Sequence, residues 1–463
     1  MLIAAWGHRL LVGFLVRDPL RVAFDFRPDH RLLGFGLALS VATGLLFGLM
    51  PAIRATRNDM SASIHNAARQ RGSLNMPLAK ALLAVQIGLS IVLLAGAGLL
   101  ARSLRNLGTV DLGLSRENLL LVEVRPAVNS PGGRQRFWTS LAERLPRLPG
   151  VRNAALAGDA VFGNGGWNQT VWIERPGQPA QDAKVSDNLV SPGFFATAGI
   201  PIVAGREFGE QDRENTRPVA LVNLTFARRF FGNEKPVGKR FGDRGQASSG
   251  RYEIVGVVGD AKYGSVREQM RPMVFHPMWQ EPARSSCVVH VRTWGEPAGL
   301  AAPIRSEILA LDGEALIGEM RTLPQVIRGQ LRQDRMFATL ASLFALLALA
   351  LGAIWIYGIV AYRVTNRTAE IGVRMALGAQ PRDVLWLILR ETLTLLAAGA
   401  VVGLPAALAA ARLIKSMLFG LGPSDPLTIV GAPLVMFAAG MLAGFLPARR
   451  AASLQPTLAL RTE

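Results

Sequence analysis

The sequence predicts an α-helical integral membrane protein that carries a large α+β domain outside the membrane. Three observations predict it. Half of the 463 residues are hydrophobic, and they are bunched: Leu32–Ile53, Ala81–Ala101, Met336–Tyr362, Thr392–Ala411 and Leu427–Ala448 contain no Asp, Glu, Lys or Arg. Each run is roughly 20 residues or more, enough helix to cross a bilayer core of about 30 Å. The polar, mixed-charge stretch Arg102–Arg335 separates two early runs from three late ones and is long enough to fold as one or two domains. Basic residues flank the runs, so the net charge of +18 belongs to membrane topology. A nucleic-acid binder would instead carry its Lys and Arg as a stripe on a soluble domain.

Topology follows by alternation. The loop Arg54–Lys80 carries Arg54, Arg57, Arg69, Arg71 and Lys80, which places it on the cytoplasmic side. The large domain is then outside, the 363–383 loop and the tail with Arg449, Arg450 and Arg461 are inside, and Arg412–Pro426 is outside. The basic segment Arg17–Arg31 would lie outside and is the exception to this pattern. Met1–Val16 is a further apolar piece, without the basic start and small-residue cleavage site of a signal peptide.

The two ends of the chain echo each other. GLLFGLMPAIRA (Gly44–Ala55) matches GMLAGFLPARRA (Gly440–Ala451) without a gap at Gly44/Gly440, Gly48/Gly444, Pro51/Pro447 and Arg54/Arg450. Glycines four apart let another helix approach closely, so these four glycines are read as helix-packing positions. Each Pro is read as ending its span and each Arg as anchoring it at the inner face. Arg17–Leu20 and Ser424–Leu427 share an Asp-Pro-Leu ahead of the two copies. Residues 1–57 thus read as the remnant of a first helical module, and 58–80 as a cytoplasmic linker. A complete module follows: helix 81–101, the outer domain 102–335, and 336–463 with helices 336–362, 392–411 and 427–448.

The outer domain reads as a split ferredoxin-like unit. Leu119–Arg125 is β-rich, Arg134–Arg147 has helical spacing with Phe137, Leu141 and Leu145 on one face, and Val151–Gly158 returns as a strand. Cys287–Arg292, Pro297–Asp312 and Ala315–Met320 repeat that order. The long segment between the two β-α-β units is an inserted subdomain of short strands and helices. Arg321–Arg335 is predicted as one helix leading into Met336, and Arg102–Leu107 as an extension of the helix before it, together forming a stalk.

Chemistry is sparse. Cys287 is the only cysteine, so no disulfide closes within the chain, and the five His show no metal-ligand spacing. No cofactor is expected. GNEKPVGKR (Gly232–Arg240) resembles a phosphate-binding loop but has one residue too many between its glycines, and Arg240 stands where a Mg²⁺-binding Ser or Thr is needed. GNGGW (Gly163–Trp167) is a flexible loop. No nucleophile elbow is present, and the five runs hold no carboxylate for proton coupling. An enzyme is not expected.

AEIGVRMALGAQPRD (Ala369–Asp383), on the inner side between two apolar runs, is a short helix with defined ends. Glu370 and Arg374 are spaced for an i,i+4 pair, Gly378 suits a C-terminal cap, and Pro381 follows it.

These residues resemble a family. Glu370–Ala379 looks like the cytoplasmic helix of MacB/FtsX-type ABC transporter permeases, and Val190–Phe208, Ala220–Gly232 and Tyr252–Pro277 look like the MacB-like periplasmic core domain. The resemblance is closest to the duplicated orphan permeases, with the first module N-terminally truncated here. It implies an FtsX-like helix bundle in the bacterial inner membrane and a separate ABC ATPase subunit that supplies ATP hydrolysis. It also implies mechanotransmission of that ATPase's motion to the periplasmic domain, for efflux or extrusion of an envelope substrate. Glu370, Ile371, Gly372, Arg374, Met375, Leu377 and Gly378 would form the ATPase-coupling helix. Ile371, Met375 and Leu377 would offer its apolar contacts. A homodimer or pairing with another permease module is implied, with a periplasmic adaptor or outer-membrane partner as further possibilities and the lipid bilayer as surroundings. FtsX-like signalling to a periplasmic hydrolase, and a receptor or scaffold without an ATPase, are the alternatives.

Overall fold

The structure is a computed structural model that describes residues 76–452, apart from 164–166, 176–177, 244–249 and 282–283, and isolated helical positions between 34 and 41. Gly44, Gly48, Pro51, Arg54, the apolar piece Met1–Val16, almost all of Leu32–Ile53 and most of the 58–80 linker lie outside the described residues. So does the middle of GNGGW. The chain divides into two compact units, Leu104–Gln333 and the segments that flank it.

The flanking unit is helical. Its described helices long and apolar enough to cross a membrane are α1 (Met76–Thr109), α7 (Arg332–Asn366), α9 (Pro381–Leu413) and α10 (Pro426–Ala452), with α8 (Thr368–Ala376) between α7 and α9. Leu83, Ile87 and Ile91 of α1 meet Ile356 and Val360 of α7, Leu396 of α9 and Met436 of α10 in a buried core. Leu343, Phe344, Leu347, Leu351 and Ile354 of α7 point away from it and are exposed, as lipid-facing side chains must be. At the end of the bundle next to α10's first turn, Asp425 accepts from the backbone and hydroxyl of Thr428 and pairs with Arg102 of α1. This caps α10 and ties α1 to it.

Two expectations about helix bounds are corrected. Pro447 does not end its helix: α10 runs through it to Ala452, with Pro447 buried. Proline removes one intrahelical bond, to the carbonyl of Ala443, and close neighbouring helices make that tolerable in a membrane segment. Nor is Arg321–Arg335 one helix. It is a two-residue strand, β12 (Arg321–Thr322), then α6 (Leu323–Gln330), a break at Leu331, and the start of α7. Thr322 and Gln325 form a reciprocal capping box that starts a fresh helix there.

The other unit is α+β. Its first half is β1 (Leu119–Arg125), α2 (Pro131–Arg144) and β2 (Val151–Ala157); its second is β10 (Cys287–Thr293), α5 (Ala301–Leu311) and the short β11 (Leu316–Ile317). The sheet order β11-β1-β10-β2, with β10 antiparallel to both β1 and β2, is the ferredoxin-like arrangement expected from the repeated β-α-β pattern. Phe137, Trp138 and Leu141 of α2 and Ile304 and Ile308 of α5 cover Val122, Val124, Val289 and Val291 of the sheet.

Between β2 and β10 lies the insertion, with β3 (Trp167–Arg175), β4 (Gln178–Val190), α3 (Phe194–Ala198), β5 (Ile202–Gly205) and β6 (Val219–Asn223). It continues through α4 (Leu224–Phe231), β7 (Arg240–Gly242), β8 (Tyr252–Val258) and β9 (Met273–Pro277). Phe226 and Phe231 of α4 pack with Val171, Val185, Val222, Phe241 and Val274 in a second core. Within GNEKPVGKR, Lys239 pairs with Glu234 and sits over the Phe231 ring, so its ammonium already has partners in the turn that leads into β7.

Candidate functional site

The helix α8 and its two neighbours hold the sequence-singled residues of the inner side. Glu370 and Arg374 pair at 2.7 Å, four residues apart. The C-terminal end is a Schellman motif: the Ala379 N–H donates to the Arg374 carbonyl and the Gly378 N–H to that of Met375. Gly378 makes this possible with a φ of +100°, a conformation that a side chain strains. Gln380 then caps α9 reciprocally with Asp383, and Pro381 takes the first helical position. The connection between the two helices is therefore fixed by three local devices.

The apolar residues of α8 split between two directions. Ile371 is 5% exposed and packs with Val384 of α9 and Ala451 of α10, with Met375 half-buried against them and Gly372 also buried. Leu377 is 83% exposed and Val373 46%. The family resemblance implied that Ile371, Met375 and Leu377 would all offer apolar contacts to a partner, but the structure turns Ile371 and Met375 toward the bundle and leaves Leu377 outward. Ile371 secures α8 to the bundle.

Charges continue that attachment. Arg363 of α7 lies 2.5 Å from Glu391 of α9, and Arg367, just after α7, lies 3.1 Å from Glu391 and 4.0 Å from Glu370. The chain of pairs Arg374–Glu370–Arg367–Glu391–Arg363 thus links all three helices around a crevice walled by Ile359, Val360, Leu387 and Leu395. Glu391 was missed by sequence reading. It directly precedes an uncharged run, which was the available signal, but its pairing across 28 residues depends on the fold.

The glycines fall at helix crossings. A Cβ built on Gly440 would come 2.8 Å from Leu396, and one on Gly444 3.1 Å from Thr392, so both face α9. A crossing of backbone on backbone lies elsewhere: a Cβ on Gly403 of α9 would come 2.8 Å from the Gly88 Cα of α1. Gly399 and Gly403 have the same four-residue spacing as the pair in α10 and could have been found by it. Arg450, in the last turn of α10, reaches the Tyr357 hydroxyl at 3.4 Å.

In the α+β unit the buried ionisable groups explain stability rather than chemistry. Among the described residues no cluster has the makeup of a metal site. The Gln169 amide Nε2 donates to His276 Nε2 at 3.0 Å, and His290 donates from Nδ1 to the Val288 carbonyl. Burial pushes both imidazoles down to about 4. Burial pushes Asp187 the other way, up to about 6, against the pull of Arg284. Between about pH 4 and 6.5 the unfolded chain binds more protons on the two His than the folded one, so stability falls on acidification. Asp187 opposes this, since its folded form holds a proton to higher pH. The unfolding midpoint of this unit, followed in the full chain by hydrogen exchange of β9 and β10, is expected to drop between pH 7 and pH 5. Each imidazole contributes on the order of 2 kcal/mol to the drop. Asp187→Asn is expected to steepen it, and a midpoint that does not change with pH would contradict the assignment.

With this geometry in hand, comparison with known proteins is decisive. The profile of the MacB-like periplasmic core domain matches residues 81–303, and that of the FtsX-like permease C-terminal matches residues 342–456. The chain belongs to the MacB/FtsX family of ABC transporter permeases. It is an inner-membrane protein with a periplasmic α+β domain: α1, α7, α9 and α10 are long and apolar enough to cross a membrane, and the matched core domain is a periplasmic one. The macrolide export ATP-binding/permease protein MacB of Marinobacter nauticus is 29% identical over 293 residues, covering 61% of this chain and 44% of that one. The pyoverdine export ATP-binding/permease protein PvdT of Pseudomonas syringae pv. tomato is 26% identical over 280 residues, covering 58% and 42%. This permease therefore spans about half the length of the curated relatives it matches. The crystal structure of the periplasmic region of MacB from Actinobacillus actinomycetemcomitans aligns with 45% of this permease and 90% of that chain, at 14% identity and a TM-score of 0.31.

Proposed function

We propose that this permease is the non-catalytic part of an ABC-type export complex. An ATP-binding partner docks on the outward side of α8, and its motion passes through α7 and α1, the helices that lead in sequence to the periplasmic domain. That domain then drives extrusion of a substrate from the envelope. The observation that carries this reading is the construction of α8. It is pinned by Ile371, by paired charges and by a Schellman cap, yet it presents Leu377 and Val373 outward. A helix held this firmly transmits a push rather than absorbing it. The export assignment is supported by the names of two relatives, which are macrolide and pyoverdine exporters.

Deletion of the gene tests export. The deletion strain is expected to retain more of an exported compound, to recover with the unchanged gene, and to show no cell-wall defect. A wall phenotype with unchanged retention would instead favour signalling to a periplasmic hydrolase and overturn the export reading.

A further inference from the structure

The crevice between α7, α8 and α9 is lined by side chains of two kinds. Ile359, Val360, Leu387 and Leu395 are apolar, while Arg363, Arg367 and Arg374 with Glu370 and Glu391 are charged. Charge is unevenly shared among them. Glu391 sits between Arg363 and Arg367, and Glu370 between Arg367 and Arg374. Three guanidinium groups against two carboxylates leave one positive charge. Each guanidinium carries five N–H donors, and each of these ion pairs engages one nitrogen of it.

We propose that this crevice holds one singly anionic phospholipid of the inner leaflet, of the phosphatidylglycerol class. The phosphate takes the surplus positive charge and the remaining guanidinium donors, and an acyl chain lies along the apolar side chains. Placement agrees with this: Arg363 lies in the last turn of membrane helix α7, just after its uncharged run, and Glu391 directly precedes the uncharged run Thr392–Ala411 of α9, where headgroups meet acyl chains. Bidentate contact between guanidinium and phosphate is strong where the pair is only partly hydrated, and the Arg363 side chain is 14% exposed. Bound lipid would fill the space under α8 and stiffen it against α7 and α9. Lipid binding is read without any partner protein, so its failure leaves the ATP-coupled reading standing.

The test is native mass spectrometry of the full chain in detergent, given equal amounts of phosphatidylglycerol and phosphatidylethanolamine with matched acyl chains. One phosphatidylglycerol per chain is expected to be retained in preference. Arg363→Gln is expected to lower its retention about tenfold, the loss of one charge-assisted hydrogen bond. Leu387→Trp, which fills the crevice and leaves every charge in place, is expected to lower it as well. Arg412→Gln, at the other end of α9, is expected to leave it unchanged. Equal retention of the two lipids by the unchanged chain would overturn the proposal. So would a phosphatidylglycerol preference that survives both Arg363→Gln and Leu387→Trp.

Discussion

Leu377→Glu is expected to weaken binding of the ATP-binding partner at least about tenfold while leaving the membrane bundle folded. Leu377 ends α8 and is almost fully exposed, so the bundle loses no packing when it changes. An interface that buries it gains apolar area with leucine. With glutamate it must desolvate a carboxylate, which costs several kcal/mol unless a cation meets it. Arg374→Glu is expected to act in the same direction, because it places two carboxylates four residues apart where an ion pair stood. Ile371→Asp serves as the contrast. It buries a charge among Val384 and Ala451 and should dislodge α8 itself, lowering thermal stability as well as binding. Titration of the partner against each full-length variant in detergent, with a thermal melt alongside, separates the two effects.

Gly403→Leu is expected to destabilise the membrane bundle by about 3 kcal/mol or more. The first added carbon would already lie 2.8 Å from the Gly88 Cα and 3.0 Å from the Gly88 carbonyl oxygen. Both are backbone atoms, so no side chain can swing aside, and α1 must separate from α9. Leu83, Ile87 and Ile91 of α1 then lose their contacts with Leu396 of α9. Gly358→Leu is the control, since nothing lies within 4 Å of a Cβ at that position in α7. A thermal melt of purified protein should show a lower midpoint for Gly403→Leu and an unchanged one for Gly358→Leu.

Particular residues show how much of this was legible in the sequence. The described apolar runs became helices because twenty uncharged residues have few other stable fates. Leu119–Arg125 became β1 with the same bounds, since a short, mostly buried apolar run suits a strand lying between two others. Gly378 and Pro381 marked the ends of α8 and α9 through backbone chemistry that acts locally. What stayed hidden was directional. The family resemblance named Ile371, Met375 and Leu377 as apolar contacts, but only the positions of α9 and α10 decide which of them is covered. The pairing of Arg363 with Glu391 and the crossing of Gly403 with Gly88 join distant segments that no local pattern connects. The reading of Pro447 as a terminus failed for a related reason. Proline disfavours helix in water, and a packed membrane bundle overrides that preference.

The central claim is that α8 is where the ATP-binding partner makes contact, and site-directed crosslinking tests it most directly. Cys287 is buried, and burial pushes its thiol up to about 12, so it is inert toward maleimides. Leu377→Cys therefore introduces one reactive thiol on the outward side of α8. In membranes holding both proteins, a benzophenone maleimide attached to the thiol at position 377 is expected, on illumination, to insert into a C–H bond of the ATP-binding partner, with a yield that changes when ATP is added. Co-purification of the two proteins without any adduct from position 377 would place the contact elsewhere and contradict the account.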